Sequence, residues 1–307
     1  MASLKKWFVI INPTSGNGSC NKHWPKIERL LKIYDFDFQF AFTKHAKHSS
    51  LIVQQAIEND ITNIISVGGD GTLHNIINSI MSQNQKAPTT ITVGIIPIGT
   101  GNDWVKTHNL PKDFEKAIQL IKNGQTKLQD VGKIEFFNSN IKPVYFINLA
   151  GIGFDGFVVS KVKKYKRFGA LSYFIGAIFS LLSFKNFQSK VRLNSKEVFG
   201  KTLMILIGLC KYSGGGMQLT KTPNPFDGFF DVSIAKNLSK LDVVKNMSKL
   251  FNGDIINYKK VETHKCDTIT IEIIDNNIPF IQADGELIGT GNIKVSIIAK
   301  SFRFCCN

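Results

Sequence analysis

Two glycine-rich segments of the chain also carry an acid, and this combination suits phosphate chemistry. The first is Gly68-Gly69-Asp70-Gly71-Thr72, and the second is Pro97-Ile98-Gly99-Thr100-Gly101-Asn102-Asp103. Glycine turns between a strand and a helix place backbone N–H groups where phosphate oxygens can bind, because no Cβ blocks the approach. The carboxylates of Asp70 and Asp103 do not suit phosphate binding alone. They suit a metal-bridged phosphate or a proton network, so the pair predicts phosphoryl-transfer chemistry.

The surrounding sequence predicts the elements that position these motifs. Apolar, β-branched runs predict strands and helical spacing predicts helices; the strands are residues 7–11, 37–43, 64–67 and 91–96, and the helices are 24–33, 48–59 and 73–80. This alternation predicts a parallel sheet with helices on both faces. Ligands bind such sheets at the carboxyl ends of the strands. Both motifs, and a third turn at residues 12–18, follow strands and are expected to converge there.

The pattern of predicted elements changes after Asp130, from alternating strands and helices to mostly strands. Strand-like runs separated by hairpin-like turns follow at residues 132–137, 144–148, 189–194, 202–209, 228–234, 268–274, 280–283 and 293–299. Helical stretches around residues 157–184 and 240–253 interrupt them. We therefore predict an α/β nucleotide-binding domain with a parallel sheet over residues 1–130. An antiparallel, β-rich, β-sandwich-like domain follows over residues 131–307, and its C-terminal end is expected to pack back on the first domain.

The charge of the chain suggests an anionic partner. Its formal net charge is +15 over 307 residues, which suits nucleotides, an anionic membrane surface or nucleic acid. Solvated lysine faces are the alternative, and they would explain much of the excess positive charge. The five cysteines show no zinc or disulfide spacing, and the adjacent Cys305 and Cys306 are interpreted as a strand end rather than a lipidation site. Without a signal-peptide pattern or a long apolar run, we expect a cytoplasmic protein.

Four motifs in order carry a resemblance that covers the chain from Lys5 to about Arg303. They are Asn12-Pro13-x-Ser15-Gly16, the two glycine-rich segments, and Asp284-Gly285-Glu286. In these the sequence resembles the diacylglycerol kinase catalytic-domain family of bacterial lipid kinases, which is related to sphingosine and ceramide kinases. The resemblance implies an α/β nucleotide domain followed by a β-rich domain. It also implies transfer of the ATP γ-phosphate to a lipid hydroxyl with Mg²⁺ as cofactor.

The resemblance also implies which residues bind the nucleotide and the metal. Asp70 and Asp103 would hold the catalytic Mg²⁺, which needs few carboxylates, and Asp130 would join their water network. Each aspartate taken alone is equally well interpreted as a turn cap; the pair favours the metal. The implied ATP contacts are Asn12, Pro13, Thr14, Ser15, Gly16, Thr43, Gly68, Gly69, Asp70, Gly71, Thr72 and Thr100.

Two further assignments come from the second half of the chain. Glu286 resembles the family's catalytic base, which would take the proton of the lipid hydroxyl. Without the resemblance, the Asp-Gly dipeptide before it indicates an ordinary exposed hairpin turn. A second, structural Mg²⁺ is implied at Asn224, Asp227 and Phe229, where an ordinary Asp-Gly turn is the alternative.

The remaining predictions concern partners. Basic residues 161–167 beside the apolar run 173–184 suit either an anionic membrane surface or a core helix with a solvated face. We expect a lipid substrate and peripheral membrane association, and no nucleic acid, because no base-reading motif is present. The six histidines have no ligand or triad spacing. A homodimer and the identity of the lipid are left open.

Two rival functions stay open at this point. An NAD kinase would share the glycine-rich Gly68–Thr72 turn, although the Asp103 motif and the Asp284-Gly285-Glu286 segment favour a lipid acceptor. A catalytically silent lipid- or nucleotide-binding regulator is the second rival, and the intact acidic residues argue against it.

Overall fold

The computed structural model describes residues 5–45, 48–99, 101–137, 140–162, 181 and 183–307. The chain forms two compact units: one runs up to Gln129 and includes Lys300–Asn307, and the other is Asp130–Ala299. Thr100 and most of the basic and apolar segment 161–184 lie outside the described residues, so the predictions made for them are not addressed below.

The first unit is built on a parallel sheet. Its strands are β1 (Lys6–Ile11), β2 (Asp37–Phe42), β3 (Asn63–Gly68) and β4 (Thr92–Pro97), in the order β2-β1-β3-β4. The end of the last strand, β15 (Ile293–Cys305), pairs in parallel with β4 at Arg303 and Phe304. Consecutive residues Val9, Ile10 and Ile11 are all buried, which requires that both faces of the sheet are covered. The predicted parallel α/β architecture is confirmed.

Helices follow the strands of this unit, and two of them begin earlier than their apolar spacing predicts. They are α1 (Ser19–Ile33), α2 (His48–Glu58), α3 (Asp70–Ser82), α4 (Asp103–Thr107) and α5 (Phe114–Asn123). The N–H groups of Thr72 and Leu73 donate to Gly69 O at 3.0 and 3.2 Å. The acidic half of the first motif is therefore the first turn of α3 and not a loop before it. Polar and glycine residues show no apolar periodicity, so the spacing of apolar residues does not predict this start.

The second unit is an antiparallel β structure, as predicted. Its strands run in the order β14-β13-β7-β9-β8-β12-β15, while β10 pairs with β9 and β11, and β6 pairs with β5. The strand bounds are β5 (Thr126–Phe136), β6 (Val144–Phe146), β7 (Leu149–Gly153), β8 (Phe187–Leu193), β9 (Lys196–Gly208), β10 (Phe230–Lys236), β11 (Val261–Cys266), β12 (Thr268–Ile273), β13 (Phe280–Ala283) and β14 (Glu286–Thr290).

Sequence patterning missed some features of this unit. Strands β11 and β14 were not predicted, because neither has a continuous apolar run. Among the described residues of this unit, the α-helices are α6 (Phe154–Val162), α7 (Lys240–Lys245) and α8 (Lys249–Asn252), and the last two replace one predicted stretch. In the part of the chain that the structure describes, no helix has the length and apolarity needed to cross a bilayer. Cys305 and Cys306 are buried at the end of β15, as expected of a strand end.

Candidate active site

Three turns lie side by side at the carboxyl ends of β1, β3 and β4. The N–H of Asn12, directly after β1, donates to Val67 O in β3 at 3.1 Å. The N–H of Ile98, directly after β4, donates to Gly68 O at 2.8 Å. The predicted convergence of the two glycine-rich motifs and the 12–18 turn is therefore confirmed, and adjacent parallel strands are its cause.

Polar side chains from two of these turns form one hydrogen-bonded cluster. Asn12 Nδ2 donates to Thr72 Oγ1 at 3.0 Å, and Ser15 Oγ lies 3.4 Å from the same oxygen. Thr14 Oγ1 donates to Asn12 Oδ1 at 2.9 Å. A Cβ at Gly68 would collide with the Thr72 side chain, so glycine is needed for this close approach. The cluster lies at the N-terminus of α3, where the helix dipole favours an anion.

Thr43 lies beside the same turn. It follows β2, and its N–H donates to Ile11 O at 2.8 Å, which places it next to the residue that precedes Asn12. The sequence separates these residues by about thirty positions, and the parallel pairing of β1 with β2 brings them together. The structure therefore brings Thr43 to the edge of the sheet where the other implied ATP contacts lie.

Asp70 joins the first motif to the second. Its Oδ2 accepts the N–H of Asp103 at 3.1 Å, and its Oδ1 accepts the N–H of Trp104 at 3.4 Å. These are N–H groups of the first turn of α4, which have no acceptor within the helix. Asp70 therefore caps α4, as the turn-cap interpretation predicts. An ionised carboxylate has about four acceptor positions, so capping leaves capacity for another ligand.

Gly101 keeps open a space that both carboxylates border. A Cβ at Gly101 would lie 3.3 Å from Asp70 Oδ2 and 4.0 Å from Asp103 Oδ2. Hard carboxylate oxygens that face one space fit Mg²⁺, which is held by one or two carboxylates and completed by water and phosphate oxygens. Across the described residues, no cluster of three or more His, Cys, Asp and Glu side chains is positioned to hold a metal.

Helix α4 is held by residues that sequence reasoning did not identify. Trp104 Nε1 donates to Gln129 Oε1 at 2.9 Å. The Trp104 ring packs against the rings of His108 and Phe304, with centroids 4.3 and 4.9 Å apart. Burial lowers the pKa of His108 to about 4, so the ring is neutral near pH 7. The aromatic residue next to Asp103 was the available signal for this packing.

Glu286 lies at the start of β14, directly after a two-residue hairpin turn. Asp284 and Gly285 both have positive φ, 49° and 81°, as a type I′ hairpin turn requires. The Asp284 carboxylate accepts the N–H groups of Ile147, Asn148 and Leu149 at 3.1, 2.9 and 3.2 Å. These bonds end the predicted 144–148 strand at Phe146 and anchor the hairpin. Glu286 is half-buried; its role as a base stays a prediction.

A polar relay through the buried Gln282 supports the same hairpin from the other side. Gln282 Nε2 donates to Asp155 Oδ2 at 2.5 Å, and Gln282 Oε1 accepts the N–H of Gly285 at 2.7 Å. Gly151 pairs with Gln282, and a Cβ there would collide with the Asp155 carboxylate. Burial raises the pKa of Asp155 to about 6. Sequence analysis assigned no catalytic or binding role to these residues; the acid two positions after Gly153 was the signal.

Asp130 lies against the loop that the resemblance assigns to a structural metal. Its N–H donates to Pro225 O at 2.9 Å, and its Oδ2 accepts the N–H of Gly228 at 2.8 Å. Within the loop, Asn224 Oδ1 accepts the N–H of Phe226 at 3.1 Å. The structure therefore places Asp130 in the second unit, where it holds this loop; its membership of a catalytic water network stays a prediction.

Asp227 is engaged on both oxygens. Its Oδ1 accepts the N–H of Phe229 at 3.1 Å, and its Oδ2 lies 2.6 Å from the ammonium of Lys265. The same ammonium lies 3.9 Å from the buried Asp231 carboxylate, and the carboxylate of Asp227 raises the pKa of Lys265. In this arrangement the Lys265 ammonium occupies the carboxylate oxygen that a Mg²⁺ ion would use. The assignment of Asn224, Asp227 and Phe229 to a metal stays a prediction.

Known proteins resemble the chain along almost all of its length. Residues 6–134 match the model of the diacylglycerol kinase catalytic domain, and residues 148–306 match the model of the YegS C-terminal NAD kinase beta sandwich-like domain. A diacylglycerol kinase of Staphylococcus carnosus (strain TM300) is 29% identical over 287 residues, which are 93% of this chain and 90% of that protein. A diacylglycerol kinase of Bacillus subtilis (strain 168) is 25% identical over 293 residues, 93% of this chain and 91% of that protein.

A solved structure shares the fold. The crystal structure of a diacylglycerol kinase from Bacillus anthracis str. Sterne superposes with a TM-score of 0.75 at 22% identity, over 100% of this chain and 98% of that chain. The two matched models follow each other in the order of the two domain types predicted from the sequence, and the second alone spans more than half of the chain. The chain belongs to the lipid kinase family in which a diacylglycerol kinase catalytic domain precedes an NAD kinase-like β-sandwich domain.

Proposed function

We propose that the protein transfers the γ-phosphate of ATP to a hydroxyl of a diacylglycerol-like lipid, with Mg²⁺ as cofactor. The observation that carries the proposal is the space over Gly101, which the Asp70 and Asp103 carboxylates border beside the three converging turns. Relatives named diacylglycerol kinase support a lipid acceptor.

The turns provide the groups that bind the nucleotide. The Asn12, Ser15 and Thr72 cluster supplies donors for phosphate oxygens at the N-terminus of α3. Mg²⁺ held by Asp70 and Asp103 would neutralise phosphate charge. Because Asp70 also caps α4, it sets the position of Asp103 relative to itself. This coupling keeps the two carboxylates in one arrangement during turnover.

Glu286 is the proposed base. Its carboxylate takes the proton of the lipid hydroxyl as the hydroxyl oxygen bonds to the γ-phosphorus. The bond between the γ-phosphorus and its bridging oxygen breaks, and ADP leaves with the electron pair. The anchoring of the hairpin by Asp284 and by Gln282 supports this role, since a base needs a fixed position.

The experiment that tests the proposal is a phosphoryl-transfer assay with labelled ATP and Mg²⁺. Diacylglycerol in mixed micelles, other lipid alcohols and NAD are offered in parallel, and the product is identified by mass spectrometry. We expect a phosphorylated lipid from the wild type and at least a hundredfold lower rate from Asp103→Asn. Asp60→Asn, an exposed acid of the same unit, is the matched control.

Two outcomes would overturn the proposal. Phosphorylation of NAD in preference to every lipid would favour the small-molecule kinase. The absence of turnover with all acceptors, from protein whose folding is verified by circular dichroism, would favour a regulator that binds without catalysis.

A further inference from the structure

The helices α7 and α8 expose apolar side chains where a helix of a soluble unit normally exposes polar ones. Leu241, Val244 and Phe251 are 70%, 52% and 48% exposed. Leu241 and Val244 lie three residues apart in α7, and Phe251 lies in α8. We call these three residues the α7–α8 stripe.

The opposite side of the same helices is packed against the second unit. Val243 packs against the cluster of Phe154, Leu203 and Leu238, and Leu250 packs against Leu149 and Leu206. The inward face is therefore already provided with an apolar partner. The stripe is a second apolar face, which the core of the unit does not need.

The backbone of the stripe is held firmly in place. Ser239 and Asp242 form a reciprocal cap at the start of α7, with Asp242 N–H donating to Ser239 Oγ at 3.2 Å and Ser239 N–H donating to Asp242 Oδ2 at 2.8 Å. At the other end, Gln218 Nε2 donates to Phe251 O at 3.0 Å. The exposure of the stripe is therefore a property of a fixed element and not of a loose loop.

The acid of α7 is neutralised on the inner side. Asp242 accepts hydrogen bonds from Lys260 Nζ and Tyr258 OH, each at 2.7 Å. Lys240, Lys245 and Lys249 border the stripe, while Asp254 is the exposed acid that follows it. Three lysines beside one exposed acid make the formal charge of this surface positive.

A cavity beside the stripe is also lined by apolar and positively charged side chains. It has a volume of about 340 Å³ and shares Ser239 and Lys240 with the start of α7. Leu181, Phe184, Leu203 and Leu238 give it apolar walls, and Lys185, Lys201 and Lys240 give it positive charge. Apolar walls with lysines match an anionic head group that is joined to an acyl chain.

We propose that the α7–α8 stripe and this cavity dock the enzyme on an anionic lipid bilayer. Leu241, Val244 and Phe251 enter the boundary between head groups and acyl chains, and the lysines contact lipid phosphates. Charge complementarity selects the bilayer over a protein partner, because apolar side chains ringed by lysines suit a surface that is apolar beneath and anionic above. The inference deepens the proposed function, since the acceptor lipid lies in such a bilayer.

Sedimentation with sucrose-loaded vesicles tests the proposal directly. Vesicles of phosphatidylcholine and phosphatidylglycerol at 3:1 are compared with vesicles of phosphatidylcholine alone at 0.1 M salt. We expect the wild type to bind the anionic vesicles at least tenfold more tightly, and to lose much of this binding at 0.5 M salt because charge is screened.

Matched variants separate the stripe from the rest of the surface. Leu241→Ser/Val244→Ser is expected to weaken vesicle binding by about tenfold, because less apolar surface enters the bilayer boundary. Lys245→Gln/Lys249→Gln is expected to weaken it by about tenfold as well, because fewer cations attract the anionic lipids. Phe199→Ser, at a 64% exposed apolar residue of β9, and Lys294→Gln in β15 are the controls and should bind like the wild type.

Activity measurements keep this inference distinct from the proposed function. Phosphorylation of short-chain diacylglycerol, dispersed as monomers, is expected to be the same in the stripe variants and the wild type, while phosphorylation of vesicle-embedded diacylglycerol falls. Vesicle binding that depends on the stripe, without any phosphorylation, would contradict the proposed function and support the docking surface.

Two results would overturn the docking surface. One is vesicle binding by the stripe variants equal to that of the wild type. The other is a wild-type dimer in sedimentation velocity that the stripe variants lose while vesicle binding is unchanged, since the stripe would then be a contact between two copies of the chain.

Discussion

At the scale of single residues, the aspartates of the candidate site have different roles because their hydrogen bonds differ. Asp70 accepts two N–H groups of α4, whereas the N–H of Asp103 is one of the groups that it caps. Asp284 accepts three N–H groups, and Asp155 accepts a hydrogen bond from the Gln282 side chain. The glycine-acid motifs predicted that acids matter here, and the hydrogen bonds distinguish those that hold the fold from those open to chemistry.

The first prediction separates capping from chemistry at Asp70 and Asp103. Asp70→Ala should abolish transfer and also lower the free energy of unfolding by about 1 kcal/mol, because α4 loses its cap. Asp103→Asn should reduce kcat at least a hundredfold with little change in stability. Urea unfolding and the transfer assay measure both properties. Equal stability of Asp70→Ala and wild type would contradict the capping role.

The second prediction concerns the pH dependence that Asp155 confers. Its pKa in the fold is about 6, above the ordinary value of 3.8, so the folded state binds the proton more tightly than the unfolded state. Stability from this group is fully present below pH 3.8 and is lost as the pH rises through 6, by about 3 kcal/mol in total. Asp155→Asn should remove this dependence. Urea unfolding at intervals from pH 4 to 7 measures it, and identical slopes in variant and wild type would refute it.

At the scale of elements, the hairpin β13–β14 shows how the sheet positions a side chain. The turn residues adopt positive φ, and Asp284 is bonded to residues more than a hundred positions earlier in the chain. A one-residue slip of β13 against β7 would break both the Asp284 bonds and the Gln282 relay. The hairpin is therefore an element whose register is set by polar contacts.

The third prediction compares neighbours in this hairpin. Glu286→Gln should lower kcat at least a hundredfold, with the melting temperature unchanged, because the residue is half-buried and would lose only its proton-accepting charge. Asp284→Asn should lower stability by about 1–3 kcal/mol, since its amide presents a donor to backbone N–H groups. Normal turnover by Glu286→Gln would rule out the base assignment.

The fourth prediction concerns the loop that contains Asp227. Lys265→Met should lower the free energy of unfolding by about 1 kcal/mol, because Asp227 and the buried Asp231 lose their ammonium partner. Added Mg²⁺ should restore part of the loss, as the carboxylates become available to a divalent cation. Thermal unfolding with and without Mg²⁺ measures this, with Lys294→Met as the control. A Lys265→Met variant as stable as the wild type would contradict the ion pair's role.

At the scale of the whole molecule, each unit contains a titratable group whose pKa is strongly shifted by desolvation, and the two groups respond oppositely to acid. His108, in the first unit, has its pKa lowered by burial to about 4, whereas Asp155, in the second, has its pKa raised by burial. A lowered histidine pKa means that stability is present above pH 6.5 and is lost as the pH falls toward 4. The carboxyl group has the opposite sign over nearly the same interval.

The fifth prediction follows from this opposition. Between pH 6.5 and 4, local stability around α4 should fall by about 3 kcal/mol, while local stability around α6 and β13 rises. Hydrogen exchange by mass spectrometry, corrected for intrinsic rates, resolves peptides of the two regions. Exchange protection that changes in the same direction in both would contradict it, and His108→Gln should flatten the first response only.

The sequence by itself determined the α/β and antiparallel β architecture and the convergence of Asp70 and Asp103 on one sheet edge. Those features depend on local patterns: apolar periodicity sets each element, and glycines mark the turns that follow β1, β3 and β4. Parallel strands then bring their carboxyl ends together without any further information.

Only the tertiary structure decided which polar groups meet across the chain. Asp155 reaches Gln282, Asp284 reaches Ile147, and Lys265 reaches Asp227, each over dozens of residues or more. The α7–α8 stripe is of the same kind, because the spacing of its apolar residues does not tell whether the core covers them. Such contacts depend on strand register and on which face of a helix is packed. The residues that make a contact do not by themselves determine either of these.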